Sequence, residues 1–244
     1  MHRFYCPGKN ISVDTIVIDE PNQAHHIRDV LRLKIKEKLD IFDEQRNIYK
    51  CCIKEILADK IILEVLAMST KNVKKKIEIV IACAIPKKSK MDDIVDKLTQ
   101  VGASRIIPLE TERIVIKLDA DKKALRGKRW EKIALSAACQ SKLDEVPVIE
   151  PVSAFKDVLL KFQDYDLKLI PTLCAERKQL KEILEKIKPK KILALIGPEG
   201  DFTTYEVELA KRAGFIPISL GASVLRVETA AVAVASFLRL YYEE

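Results

Sequence analysis

The chain has 244 residues, 48% hydrophobic and 32% charged, with a formal net charge of +7 and a pI near 9.0. No apolar run approaches the ~18 residues that cross a bilayer, and Met1-His2-Arg3-Phe4-Tyr5-Cys6 lacks the hydrophobic stretch of a signal peptide, so neither a membrane span nor secretion is expected and the default location is the cytoplasm. The basic balance favours a polyanionic partner, with a lysine-rich solubilising surface as the alternative.

In chain order, residues 1–70 read as short strands at 2–6, 15–18, 38–42, 48–56 and 60–66, with a helix-like insert at 23–33. That predicts a small, mostly β domain. A polar, lysine-rich connector at 69–76 marks the boundary. From residue 77 to 244 strands and helices alternate: strand 77–85, helix 90–101, strand 105–109, helix 122–140, strand 167–171, helix 177–187, strand 192–196, a helix after Thr203, strand 216–220 and a last apolar helix. Alternation implies a mostly parallel sheet covered on both faces, an α/β domain. In the first of these helices Met91, Ile94, Val95, Leu98 and Val101 recur at helical spacing, with Asp92, Asp93, Asp96 and Lys97 directed outward and Gly102 as the stop. Thr203 and Glu206 fit a capping box.

Six cysteines, Cys6, Cys51, Cys52, Cys83, Cys139 and Cys174, include no C-x-x-C pair and read as reduced thiols, not zinc ligands or disulfides. No metal is expected. His25 and His26 read as structural residues.

The most informative stretches are two glycine-bearing loops at strand ends. Ile196 leads into Gly197-Pro198-Glu199-Gly200-Asp201, and Leu220 leads into Gly221-Ala222-Ser223-Val224-Leu225-Arg226-Val227-Glu228-Thr229-Ala230. Loops at the carboxyl ends of neighbouring strands form a ligand crevice in such sheets. Neither a dinucleotide fingerprint nor a Gly-Lys-Ser/Thr loop is present, and Glu199 and Asp201 disfavour an anion. A neutral or cationic nucleoside-type ligand, such as the sulfonium S-adenosylmethionine, suits the charges; tight turns with no ligand are the alternative.

These segments resemble the C-terminal signature of the SPOUT methyltransferases, and within them the ribosomal RNA small subunit methyltransferase E family. His26-Ile27, Val30-Leu31-Arg32, Lys90-Met91, Glu112-Arg113, Arg129-Trp130, Gln140-Ser141 and Val146-Pro147 extend the resemblance over nearly the whole chain. It implies a PUA-like β-barrel at 1–70 for RNA docking, a SPOUT domain at 77–244 whose C-terminal segment forms a trefoil knot, and a homodimer. The implied activity is S-adenosylmethionine-dependent methylation of N3 of a uridine in 16S rRNA, on naked RNA or the assembled small subunit. The implied cofactor residues are Leu173, Ile196, Gly197, Glu199, Gly200, Leu220, Gly221 and Leu225. Arg226 is the candidate to stabilise charge on the uracil oxygens, and Glu228 to orient it or take the proton. Arg32, Lys97, Arg113, Arg129 and Lys132 are candidate RNA contacts. Gln100 stands where relatives usually have Glu, and Leu143, after Lys142, where an arginine is common. The competing readings are a ribose 2′-O-methyltransferase of the same superfamily and a non-catalytic ribosome assembly factor.

Overall fold

The computed structural model describes residues 2–70, 77–87, 90–114, 118–173 and 176–242. Most of the expected connector, residues 71–76, lies outside them. The chain divides into two compact units, Met1–Lys74 with Leu135–Val146, and Lys75–Ala134 with Pro147–Glu244.

The first unit is built on strands β1 (His2–Tyr5), β2 (Thr15–Ile18), β3 (Lys38–Phe42), β4 (Asn47–Ile56) and β5 (Ile61–Thr70), in the order β1-β3-β4-β5-β2. All pairings are antiparallel except β1 with β3. Alternation places Leu39, Ile41, Cys51, Ile53, Ile61 and Leu63 in one core with Phe4, Ile16 and Ile18. Register shifts at Lys50/Cys51 and Ile53/Glu55 bend β4, which curls the sheet around that core. The insert is shorter than its pattern predicts: helix α1 (Pro21–His25) begins with Glu20 accepting from the Gln23 N–H and passes into a π turn at His26–Val30. Arg3 Nη1 donates to the Lys142 carbonyl, and Arg46 pairs with Glu145, within the same unit.

The second unit contains β6 (Glu78–Ala84), α2 (Lys90–Gln100), β7 (Arg105–Glu110), α3 (Ala120–Gln140, which continues into the first unit), β8 (Val148–Ile149), β9 (Ser153–Ala154), α4 (Phe155–Lys161), β10 (Leu167–Pro171), β11 (Lys178–Gln179), α5 (Leu180–Leu184), β12 (Lys191–Ile196), α6 (Thr204–Arg212), β13 (Ile216–Ser219) and α7 (Val227–Tyr242). Its pairings are parallel, in the order β11-β13-β10-β12-β6-β7-β8, with β9 also on β7. Central strands β6 and β12 are buried along almost their whole length, as continuous apolar runs require when helices cover both faces.

Three local details differ from the sequence reading. Asp92 is not an outward residue: its carboxylate accepts from Trp130 Nε1 at 3.1 Å and from Arg129 Nε at 2.9 Å, anchoring the buried indole of α3 against α2. The helix expected at 177–187 is confined to Leu180–Leu184, because Lys178 and Gln179 pair with Ile218 and Ser219 as an edge strand. Helix α4, which the sequence reading leaves unassigned, buries Phe155, Val158 and Leu159. Gly102 does close α2 with φ +78. Among the described residues no helix is long and apolar enough to cross a membrane.

Candidate functional site

An open cleft lies at the carboxyl ends of β10, β12 and β13 and against the start of α7. Its apolar wall includes Ile196, Ile218, Leu225, Val227 and Ala230, while Leu173 and Val224 stand exposed at the rim. Gly221 has φ +108, where side chains are strained, and a Cβ there would meet nothing within 4 Å. Gly197 is glycine for a different reason: a Cβ there would lie 3.0 Å from the ring of Phe202, which is fully buried against Phe155.

The loop after β12 is held by its own carboxylates. Asp201, with φ +57, accepts through Oδ2 from Thr172 Oγ1 at 2.9 Å and Leu173 N at 2.7 Å, and through Oδ1 from Phe202 N at 2.8 Å. It thus joins this loop to the end of β10. Glu199 Oε1 accepts from Lys87 N at 3.2 Å, joining the loop to the end of β6. The turn closes through Asp201 N to Pro198 O, and α6 starts at once with the Thr203–Glu206 capping box. Both acidic residues that argued against an anion on sequence grounds therefore act as acceptors for neighbouring loops.

Arg226 and Glu228 flank Val227 at the start of α7, with Arg226 exposed and its carbonyl accepting from Ala230 N at 2.8 Å. Glu228 Oε1 accepts from Lys90 Nζ at 3.0 Å. Burial opposes its charge, but its own backbone N–H, Lys90 and Arg226 outweigh burial and hold the carboxyl below its ordinary value. Beneath lies Cys83, whose thiol is pushed far up by burial and by the charges of Glu228 and Glu199. A depressed carboxyl contributes stability that is present above its unfolded pKa and is lost as pH falls through the folded one. Glu228→Gln should therefore lower stability at neutral pH, with the gap from wild type closing below about pH 4. Denaturant titrations across that range check this; a gap that stays constant with pH would contradict it.

Of the cofactor residues expected from sequence, Leu173, Ile196, Gly197, Glu199, Leu220, Gly221 and Leu225 line the cleft together. Gly200 does not: its carbonyl accepts from Arg113 Nη1 at 2.6 Å, and Arg113 Cδ lies 3.6 Å from where its Cβ would be. Among the RNA candidates, Lys97 and Lys132 are exposed on α2 and α3, Arg129 is exposed while paired with Asp92, and Arg32, with φ 53, closes the π turn of the first unit. Thr172 and Arg177, outside both glycine loops and not expected from sequence, also line the cleft. Arg177 was hidden by its assignment to a helix start, and Thr172 by the absence of any motif around it.

Residues 73–239 match the RNA methyltransferase domain family, and residues 18–66 the RNA methyltransferase PUA domain family. The ribosomal RNA small subunit methyltransferase E of Bacillus subtilis (strain 168) is 32% identical over 214 residues, covering 85% of this chain and 83% of that protein. The protein of the same name from Buchnera aphidicola subsp. Acyrthosiphon pisum is 32% identical over 221 residues, 89% of this chain and 85% of its own. A crystal structure of ribosomal RNA small subunit methyltransferase E from Neisseria gonorrhoeae bound to S-adenosyl methionine matches with a TM-score of 0.87 at 28% identity, over 98% of this chain and 97% of that one. With a parallel α/β unit carrying the cleft and a curled β unit matching the PUA family, the chain belongs to the RNA methyltransferase family and has the SPOUT-type fold.

Proposed function

We propose that this chain uses S-adenosylmethionine to methylate N3 of a uridine in the 16S rRNA of the small ribosomal subunit. The observation that carries the reading is the cleft between the two glycine loops, whose lining residues Leu225 and Val227 stand on either side of Arg226 in the chain, in a protein of the RNA methyltransferase family. Relatives bearing the small subunit methyltransferase E name, one of them solved with S-adenosyl methionine, support it. The cleft also fits the cofactor. Its apolar wall suits a flat base, Gly221 leaves open the space a side chain would fill, and the carboxylate of Glu199 suits a sulfonium.

When bound, S-adenosylmethionine supplies a methyl group made electrophilic by its positive sulfur. The chain's residues ready the nucleophile. N3 of uridine carries a proton, and as it leaves, negative charge spreads onto the uracil oxygens. Arg226, exposed between the cleft-lining residues Leu225 and Val227, is the donor for that charge. Glu228, held in place by Lys90 Nζ, is the residue to orient Arg226 or to take that proton. Arg32, Lys97, Arg129 and Lys132 serve the RNA backbone, which makes binding salt-dependent. Residues 1–70 serve as the RNA-docking domain and residues 77–244 as the catalytic domain. The trefoil knot belongs to the same reading, supported by the path of the last segment: from β13 it passes back beyond β10 and β12 to pack α7 on β6.

The protein acts as a homodimer in this account. Exposed Phe237 and Leu240 lie on α7, with Tyr241 stacked on Phe237 at 6.1 Å, an apolar stripe of the kind that subunit interfaces cover. Light scattering should give twice 27.7 kDa, and Leu240→Glu should give monomer. A fully active wild-type monomer would exclude the dimer. Incubation with methyl-labelled S-adenosylmethionine and either 16S rRNA or small subunits tests the activity itself: labelled rRNA is expected, and no label on either substrate would refute it.

A further inference from the structure

We propose that Arg113 is a positioning residue that holds the cofactor loop by the carbonyl of Gly200, from a foothold fixed by the buried carboxylate of Glu206. The inference rests on the cofactor reading of the cleft. By residue type and sequence context Arg113 passes for a phosphate contact, yet its Nη1 donates to Gly200 O at 2.6 Å and its Cδ lies 3.6 Å from the Cβ position of Gly200. Gly200 turns away from the cleft while its neighbours Gly197, Pro198, Glu199 and Asp201 line it. Arg113 thus grips the loop at the one residue of its Gly197–Asp201 stretch that does not line the cleft.

The foothold explains why this grip is firm. In a capping box the carboxylate needs only the N-cap N–H, and such groups ordinarily face water. Glu206 is instead 5% exposed and uses both oxygens. Oε2 accepts from Thr203 N at 2.9 Å, and Oε1 accepts from Glu112 N at 2.8 Å, the residue before Arg113. Glu112 Oε2 in turn accepts from Thr203 Oγ1 at 3.2 Å. The loop after β7 is therefore bound to the start of α6 on one side of the cofactor loop, and Arg113 reaches over to its middle. With Asp201 tied to β10 and Glu199 to the loop after β6, the cofactor loop is held from each neighbouring strand end. A guanidinium suits this role because its planar fork delivers a directed donor at the end of a long stem.

Arg113 is exposed, so Arg113→Ala should fold. The probe is S-adenosylhomocysteine in calorimetry on the full chain, with S-adenosylmethionine KM and 16S rRNA affinity measured over a salt series. Arg113→Ala should weaken S-adenosylhomocysteine roughly tenfold and raise the S-adenosylmethionine KM in parallel, as loss of one charged hydrogen bond implies. RNA affinity and its salt slope should stay as in wild type, and Arg113→Lys should recover part of the loss. Unchanged cofactor affinity in Arg113→Ala overturns the proposal, and a reduced RNA salt slope in the same variant would return Arg113 to the phosphate contacts. Wild-type protein that fails to bind S-adenosylhomocysteine would instead remove the cofactor reading itself.

Discussion

Arg226→Ala should lose about a hundredfold or more in turnover while cofactor affinity changes little. A donor aimed at charge that develops only as N3 loses its proton acts on the transition state, and removing one such donor costs on the order of 3 kcal/mol. Arg226→Lys keeps the charge and loses the fork, so it should recover only part of the rate. Raising pH should partly rescue Arg226→Ala, because more of the uridine is then already deprotonated. Single-turnover rates with saturating cofactor and RNA measure this. Turnover within a few-fold of wild type would sink the assignment, and loss of cofactor binding in step with turnover would make Arg226 a binding residue.

Asp201→Ala should weaken S-adenosylmethionine by at least about tenfold, although on sequence grounds the residue counts only as a charge that disfavours an anion. Its carboxylate accepts from Thr172 Oγ1, Leu173 N and Phe202 N, and hydrogen bonds to a charged acceptor contribute roughly 1.5–3 kcal/mol each. Losing them frees both the loop after β12 and the rim at Leu173. Alanine also strains the backbone at φ +57, a conformation that asparagine tolerates. Asp201→Asn separates the two effects, keeping the φ while removing the charge. Calorimetry on both variants should show Asp201→Asn between wild type and Asp201→Ala. Equal affinity in all three proteins would show that the loop keeps its shape without this acceptor.

What the sequence made legible follows from which interactions are local. The apolar stripe of α2, the Thr203–Glu206 capping box and the stop at Gly102 each involve residues within a few positions of one another, and each forms as read except that Val101, expected in the stripe, lies half-buried just past the helix end. The strands were legible because full burial leaves long β-branched and aliphatic runs, as in β6 and β12. Lys178 and Gln179, by contrast, become a strand only by pairing with Ile218 and Ser219, and two polar residues carry no period. The same holds for the site. Two glycine loops could be recognised, but the turning of Gly200 toward Arg113, the bond from Glu206 to Glu112 N and the tie from Asp201 to Leu173 N depend on partners distant in the chain. Gly197 carried the opposite lesson: it was legible as a special position, but what excludes a side chain is the ring of Phe202.

The most direct test of the account is the chemical identity of the product. Small subunits and 16S rRNA from cells lacking this protein, incubated with it and S-adenosylmethionine, would be digested to nucleosides and resolved by mass spectrometry against standards. The account predicts N3-methyluridine as the new nucleoside, absent when Arg226→Ala protein replaces wild type over the same interval. A 2′-O-methylated nucleoside, or no new methylation by protein that binds S-adenosylmethionine, would contradict it.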